Sequence, residues 1–273
     1  MRWGTNLLTV LRRYLAVLGL LAKIGVMRQM AYPPQFFMMI VGKIIRIGLL
    51  FFFFQAIFLK VDRIGHWTYH EVLLLFATFH IVDYLMSVTF HRNLAFHLPQ
   101  LIQTGELDTR MIMPLNLLFL LSFEMIDFID LLSFLPSLGF LGYVLYRLDF
   151  AFSWIHALAY ALLLINALLF LFGIVLIIAT ISFWTTQSFG LARIFDNLLK
   201  IGRYPLDIFE GVLRTIFVYF LPLVLIAQIP SQVLLGTLSL KSMLYAFSIT
   251  GIFLFVAIGF WKVGLKRYLS AST

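Results

Sequence analysis

Long apolar runs separated by short polar connections dominate the chain. They lie at approximately residues 36–59, 67–90, 115–146, 153–184, 211–229 and 242–262. Each is close to or above the roughly 20 residues that an α-helix needs to cross a bilayer. The run Leu162–Ala179 is interrupted only by Asn166, and it does not alternate as a barrel strand does. Because lipid admits only helices and closed barrels, the pattern predicts an all-α integral membrane protein with six transmembrane helices.

The segments differ in ways that predict departures from simple spans. The third and fourth are long, so we expect them to tilt or to project beyond the bilayer. The fifth is short, contains Pro222 and leads into Ile229-Pro230. We therefore predict a re-entrant hairpin on the outer side over residues 222–241, buried in protein because its backbone is not helical throughout.

The first residues have a different pattern. Residues 3–26 place Leu11, Leu15 and Leu18 at three- and four-residue spacing, which predicts an amphipathic helix lying on the inner membrane surface. A secretory signal peptide is the alternative, but basic residues follow the apolar run at once and no small-x-small cleavage pattern is present. We predict one transmembrane domain over residues 1–273, with the surface helix at 3–26 and the six-span bundle at 36–262.

Composition agrees with this class. Hydrophobic residues make up 62% and charged residues 12% of the chain, against about 45–50% and 25% in soluble domains. The mean hydropathy is +1.01. Cysteine is absent, which excludes disulfides, thiolate nucleophiles and thiolate metal sites.

The net charge of +8 indicates the topology of the chain in the membrane rather than nucleic-acid binding, because the basic residues are unevenly distributed between the two sides of the membrane. With a cytoplasmic N-terminus, fourteen lie on the inner side, four on the outer side, and Lys43 and Arg46 inside a span. The inner set is Arg2, Arg12, Arg13, Lys23, Arg28, Arg92, Arg110, Arg193, Lys200, Arg203, Arg214, Lys262, Lys266 and Arg267, and the outer set is Lys60, Arg63, Arg147 and Lys241. This bias predicts a multi-pass cell-membrane protein with both termini cytoplasmic.

Several charged residues fall within predicted spans, where each is a functional hypothesis by default. They are Lys43, Arg46, Asp83, Glu124, Asp127 and Asp130. One interpretation is an ion-pair cluster that holds three helices together, and the other is a polar lining for a substrate path. Asp130 sits deepest and is hardest to pair, which makes it the best candidate for a lumen-facing group. We expect Asp130→Ala to change transport more than protein abundance.

Other chemistry is sparse. His66, His70 and Glu71 have a spacing that suits a metal ion, but an aqueous interface accommodates histidines without one, so we predict no metal site. No G-x-x-x-x-G-K-[ST] loop is present, so the chain cannot hold a nucleotide as P-loop ATPases do. We predict no bound cofactor and no enzyme activity of its own.

The most informative polar connection is residues 91–116, between the second and third predicted spans. A short helical pattern is followed by Gly105 and then by Glu106, Asp108 and Arg110 close together. Such an element suits docking into a groove on another protein. An ordinary solvated connection is the alternative.

Three motifs, in this order, resemble the permeases of type-two ATP-binding cassette (ABC) exporters, in a six-span subgroup whose coupling loop reads S-G-E-L-D and then R-P-L-N. Here the first motif reads Thr104-Gly105-Glu106-Leu107-Asp108 and Met113-Pro114-Leu115-Asn116, with Thr104 for Ser and Met113 for Arg. The second, Arg203-Tyr204-Pro205, is similar to the family's loop before the fifth span, and we expect it on the inner side. The third is the pair Leu221-Pro222 and Ile229-Pro230.

The resemblance covers essentially the whole chain and implies a type V ABC exporter-like fold. It implies an assembly of two permeases, identical or paralogous, with two ATPase subunits that bind ATP and Mg. The coupling residues would be Gly105, Glu106, Leu107, Asp108 and Arg110. The surface helix would brace the inner leaflet, and the cargo would be hydrophobic or amphipathic.

Two other functions stay open from the residues alone. The first is an ion- or proton-coupled carrier or channel that uses Asp83, Glu124, Asp127 and Asp130 as a relay. The second is an intramembrane enzyme acting on lipids, although no catalytic constellation supports it.

Overall fold

The computed structural model describes residues 7–30, 33–151, 153–185 and 188–271, and this part of the chain is helical without a β-strand. The all-α prediction is confirmed. The α-helices are α1 Leu7–Met30, α2 Pro33–Phe58, α3 Tyr69–Val88, α4 Leu98–Thr104, α5 Leu107–Met111, α6 Leu117–Phe123, α7 Phe128–Arg147, α8 Trp154–Thr180, α9 Ser188–Leu199, α10 Gly211–Thr215, α11 Gln228–Leu234 and α12 Leu240–Ala271. Short π- and 3₁₀-helical turns join several of them, including Asn93–His97, Lys200–Arg203, Leu206–Ile208, Ile216–Phe220 and Leu223–Leu225.

Five helices are long and apolar enough to cross a membrane. They are Phe37–Phe58, Tyr69–Val88, Phe128–Arg147, Trp154–Phe183 and Leu240–Leu269. A sixth apolar stretch, Gly211–Phe220 with Leu223–Leu234, is bent by 60° at its centre. The two ends of α3 define two faces of this bundle. We call the face at the N-terminal end of α3 the Trp67 face and the face at its C-terminal end the His91 face. The 20 residues of α3 separate the two faces by about 30 Å at 1.5 Å per residue.

The chain passes between these faces in alternate directions. α7 starts on the His91 face, where Arg92 binds Asp127, and ascends past Phe76 on α3, whose ring lies 5.9 Å from that of Phe140. α8 and α12 both descend to the His91 face and pack side by side. The rings of Phe170 and Phe253 are 5.1 Å apart. The C-terminal end of α12 therefore lies on the same face as the start of α7.

Because α8 ends on the His91 face and α12 begins on the Trp67 face, the chain must cross between them. Residues 188–208 make this crossing. Asp196 binds His91 at one face (Oδ1–Nε2, 2.7 Å), and Asp207 accepts a hydrogen bond from Trp67 Nε1 at the other (2.9 Å). Gly202 lies against Phe79, halfway along α3. The prediction of 211–229 as the fifth span is therefore wrong, and so is the inner position predicted for the Arg203-Tyr204-Pro205 motif.

A hydropathy search does not identify residues 188–208 as a membrane span, because the segment carries five charged residues. They are Arg193, Asp196, Lys200, Arg203 and Asp207. Its buried residues nevertheless follow a helical stripe toward the bundle. The stripe is Ala192, Phe195, Leu199, Gly202 and Leu206, and Pro205 beside it is buried as well. This spacing of three and four residues was the available sequence signal.

Residues 211–234 instead form a re-entrant hairpin that leaves and returns on the Trp67 face. Pro222–Ser231 are all buried, which meets the requirement that non-helical backbone at membrane depth be covered by protein. Ser231 Oγ donates to Thr78 Oγ1 (3.2 Å), and Thr78 is also bonded to Tyr160 (3.0 Å). The predicted hairpin, 222–241, thus begins earlier than expected and ends near Leu234.

The third predicted segment, 115–146, is broken rather than continuous. α6 ends at Phe123 and α7 begins at Phe128, so only α7 spans, and the expected long tilted helix is not formed.

The first helix covers this break. Gly25 lies so close to it that an added Cβ would be 2.5 Å from the Ile126 carbonyl oxygen, and Arg13 donates to the Pro114 carbonyl (2.8 Å). Residues 3–6 of the predicted surface helix lie outside the described part of the chain.

Candidate functional site: the coupling segment and the charges beneath it

The connection 91–116 forms a compact projection on the His91 face. α4 ends at Thr104, and Gly105 after it has a φ of +75°, the left-handed conformation that glycine adopts without strain; α5 begins two residues later. Glu106 and Asp108 are exposed, and Ile112 is 84% exposed. The segment therefore presents an acidic edge with an apolar residue beside it.

Two of the predicted coupling residues point inward instead. Leu107 is fully buried and joins the hydrophobic core. Arg110 donates from Nε (3.3 Å) and an Nη (3.1 Å) to Glu124 Oε1, and its other Nη lies 3.2 Å from Glu106 Oε2. Arg110 is thus an anchor between α5 and the α6–α7 break, and the exposed edge consists of Glu106, Asp108 and Ile112.

Glu124 is held ionised at this anchor. Burial raises the pKa of its carboxyl, but His97 and Arg110 together lower it further, so the pKa lies below its usual value. His97 Nε2 lies 3.7 Å from Glu124 Oε2, within ion-pair distance but too far for a hydrogen bond. A carboxylate with a lowered pKa stabilises the fold at neutral pH and loses that contribution as the pH falls through its folded pKa.

Asn93 holds the break between α6 and α7 open. Its buried amide Nδ2, which has two hydrogens to donate, lies within hydrogen-bond distance of three carbonyls, those of Thr89 (2.7 Å), Ser122 (2.9 Å) and Met125 (3.0 Å), while Oδ1 accepts from Met125 N (3.0 Å). One side chain therefore supplies the partners that the interrupted backbone lacks. On the other side of the break, Asp127 caps α7 by accepting from Ile129 N and is bound by Arg92.

We expect Asn93→Leu to destabilise the protein by more than about 2 kcal/mol, because each buried polar group left unpaired costs roughly 1–3 kcal/mol. Thermal unfolding of the purified full chain in neutral detergent measures this. Asn197→Leu, at an exposed asparagine, is the matched control and should leave the midpoint unchanged. Equal midpoints for the two variants would contradict the role given to Asn93.

The intramembrane charges form separate pairs. Lys43 on α2 binds Asp130 on α7, and Arg46 lies 3.8 Å from Asp83 on α3. Glu124 and Asp127 pair instead with Arg110 and Arg92 from the loop. The prediction that Asp130 is hard to pair is wrong, because α2 places the Lys43 amine beside it. These contacts favour the interpretation in which charge holds the helices together.

The crossing segment adds charges that the sequence analysis did not place in the bundle. Asp196 meets His91, Lys200 donates to Asn197 Oδ1 (2.9 Å), and Arg203 lies over the Tyr204 ring, 5.2 Å from its centroid. Tyr204 packs against Phe54 of α2, and Pro205 is buried.

On the Trp67 face, Asp207 joins three elements. It accepts from Trp67, from Arg214 (3.0 Å) and from Gln228 (3.4 Å), and His66 Nδ1 is 3.6 Å away. Of the three residues whose spacing would suit a metal ion, His66, His70 and Glu71, the last accepts from Thr68 N and caps α3. Within the described ranges, no three His, Asp or Glu side chains are placed to hold a metal ion.

These features define a multi-pass α-helical membrane protein with an anchored projection on the face where the described N-terminal and C-terminal helix ends lie. The model of the ABC-2 family transporter proteins matches residues 44–272. The chain belongs to this family and is a permease subunit, as the three motifs indicated. No curated protein matches the sequence.

Proposed function

We propose that this permease exports a hydrophobic or amphipathic substrate, driven by a separate ATPase subunit that binds ATP with Mg and hydrolyses the ATP. The anchored projection with its exposed acidic edge is the observation that carries the proposal. A surface that receives mechanical work must be exposed at its tip and rigid at its base. Glu106, Asp108 and Ile112 supply the tip, and Leu107 and Arg110 supply the base.

In this proposal the His91 face is cytoplasmic, because it holds the larger share of basic residues even after the crossing segment is reassigned. The basic residues at or near this face are Arg12, Arg13, Lys23, Arg28, Arg92, Arg110, Arg193, Lys262, Lys266 and Arg267, against Lys60, Arg63, Arg147, Arg214 and Lys241 on the Trp67 face. α1 would lie along the inner leaflet and brace the break.

The contacts suggest how work would travel from the tip. A push on Glu106 and Asp108 would move α5, and Arg110 would pass the displacement to Glu124 at the α6–α7 break. Because α7 is a separate helix beyond that break, it can tilt without bending α6. Lys43–Asp130 would then carry the motion to α2. With a second permease, identical or paralogous, the two bundles would open a path between them.

A carrier with a carboxylate relay has less support. Each of Asp83, Glu124, Asp127 and Asp130 lies beside a different cation, so moving a proton along them would break an ion pair at every step.

We expect the double variant Glu106→Arg/Asp108→Arg to weaken ATPase binding by roughly tenfold or more, since about 1.4 kcal/mol corresponds to tenfold and like-charge contacts cost several kcal/mol. The measurement is co-purification of the full chain with its ATPase and ATP hydrolysis by the complex. An acidic edge predicts that the groove of the ATPase is basic, so reversal of charge should repel it.

Asp62→Arg is the control, a single charge reversal at an exposed carboxylate on the Trp67 face. It should leave co-purification intact. Transport by the isolated chain without any ATPase, or transport that collapses with the proton gradient at constant ATP, would overturn the exporter proposal.

A further inference from the structure

A cavity of about 230 Å³ lies where α1 meets the break between α6 and α7. Its wall receives Gly25, Arg28 and Gln29 from α1, and the three- and four-residue spacing of a helix puts these on one face. Gly25 lies close to the Ile126 carbonyl, and Gln29 Oε1 accepts a hydrogen bond from Ile129 N (3.0 Å). These contacts fix α1 beside the break, so the cavity lies between two anchored elements.

The cavity lies at the depth of the lipid headgroups. α2 and α7 both start at the His91 face, and each contributes a residue from the start of its span, Met39 from α2 and Ile129 from α7. The ends of spanning helices lie where hydrocarbon gives way to headgroups. α2 also has the smallest buried share of the five spanning helices, and Met38 and Met39 are exposed. A molecule with a polar head in this cavity can therefore lay its tails along α2.

Two guanidiniums and two carboxylates line the cavity, and both carboxylates are already bound. Glu124 accepts two hydrogen bonds from Arg110, which lies outside the cavity wall. Asp127 accepts from Arg92 Nη1 (3.0 Å) and from two backbone N–H groups at the start of α7. That bond uses one of the five N–H donors of the Arg92 guanidinium. With Arg110 included, three cations face two carboxylates, so one positive charge is in surplus.

Arg28 supplies the surplus charge. It is exposed, and none of the ion pairs in the described part of the chain includes it. The amide N–H₂ of Gln29 and the remaining N–H groups of Arg92 are further donors in the same wall. A guanidinium matches a phosphate through two parallel hydrogen bonds, and basic pockets between helices at the membrane surface suit lipid headgroups. The chemistry of this wall is therefore that of a phosphate site.

We propose that this cavity binds the phosphate of an anionic phospholipid from the leaflet at the His91 face. Arg28 and Arg92 would share the phosphate, and the acyl chains would lie along the start of α2. An anionic lipid is favoured over a zwitterionic one, because the cation of a choline or ethanolamine headgroup would meet the surplus positive charge. The lipid would tie α1 to the segment after α3. It belongs to the bilayer rather than to the cargo, so the inference does not depend on the exporter proposal.

The test is native mass spectrometry of the purified full chain in neutral detergent, with dioctanoyl phosphatidylglycerol as the probe. The wild-type chain should bind it in preference to dioctanoyl phosphatidylcholine, which has the same tails and phosphate but a compensating cation. Arg28→Gln should lower the affinity for phosphatidylglycerol by at least about fivefold, because the surplus charge is lost. Arg28→Lys keeps the charge without the paired donors and should bind with intermediate affinity.

Arg12→Gln is the matched control. It removes an exposed arginine of α1 that does not line the cavity, so it should bind like the wild type. Equal affinities of Arg28→Gln and Arg12→Gln for phosphatidylglycerol, with matching size-exclusion profiles, would overturn the site, as would equal binding of the two lipids by the wild-type chain. Displacement of the lipid by millimolar glycerol phosphate would overturn the lipid and indicate a soluble phosphate ligand.

Thermal unfolding gives a second measurement. A ligand that binds only the folded chain raises its unfolding midpoint, so phosphatidylglycerol should stabilise the wild type more than phosphatidylcholine does. This gain should disappear in Arg28→Gln and remain in Arg12→Gln, and a gain of equal size in the two variants would contradict the proposal. Neither measurement contains an ATPase. A chain that binds no ATPase but discriminates the lipids through Arg28 would end the exporter proposal and leave the lipid site standing.

Discussion

A cysteine placed at Glu210 will react with a membrane-impermeant maleimide from the opposite side of the membrane to a cysteine placed at Ile112. Residues 188–208 cross the bundle from His91 to Trp67, so Glu210 emerges on the Trp67 face while the coupling segment stays on the His91 face. Both positions are exposed, and the chain has no cysteine of its own. The expected difference is all or none, measured by labelling intact cells before and after permeabilisation.

Asp62→Cys is the matched control for the Trp67 face and should label together with Glu210→Cys. If 211–229 were the fifth span, as hydropathy alone suggests, Glu210→Cys would label with Ile112→Cys instead. That result would refute the crossing segment, and it does not depend on which face is cytoplasmic.

Asp130→Ala should greatly reduce the amount of folded protein, and Lys43→Met should do the same. Removing one member of a fully buried ion pair costs about 3–5 kcal/mol, and this partly buried pair, with side chains 27% and 17% exposed, should lose a smaller but still large amount because the other charge keeps no direct partner. Replacing both, as Lys43→Met/Asp130→Leu, should restore the yield and the unfolding midpoint, since an apolar pair needs no compensation. Size-exclusion chromatography of the full chain after extraction gives the yield, and the loss of the folded peak after heating to a series of temperatures gives the midpoint.

The Arg46–Asp83 pair is the comparison. Its atoms are 3.8 Å apart and the Arg46 side chain is half exposed, so Arg46→Met should lose less protein than Lys43→Met. The structure reverses the expectation drawn from the sequence that Asp130→Ala alters transport more than abundance. Normal abundance of Asp130→Ala with defective transport would restore the substrate-path interpretation.

In the coupling segment, residues 91–116, motif and spacing predicted the exposed turn but not the direction of every side chain. Glycine followed by alternating acidic residues predicted an exposed turn, and the structure has one, with Gly105 in the left-handed conformation. The inward direction of Arg110 was not predictable, because its partner Glu124 lies beyond α6 in the chain and meets it only where Asn93 holds the break.

By itself the sequence determined the membrane class, the approximate positions of five spanning helices and the existence of a buried hairpin. These follow from the average apolarity of each segment, which sets the free energy of placing a helix in lipid. Only the tertiary structure decided that a segment with Arg193, Asp196, Lys200, Arg203 and Asp207 crosses between the two faces. The physical reason is that the cost of burying a charge depends on its neighbours, and His91 and Trp67 come from the two ends of α3, far away in the chain. Hydropathy estimates the free energy of placing a segment in lipid. Two of the polar side chains of this segment instead bind residues at the ends of α3, which hydropathy does not take into account.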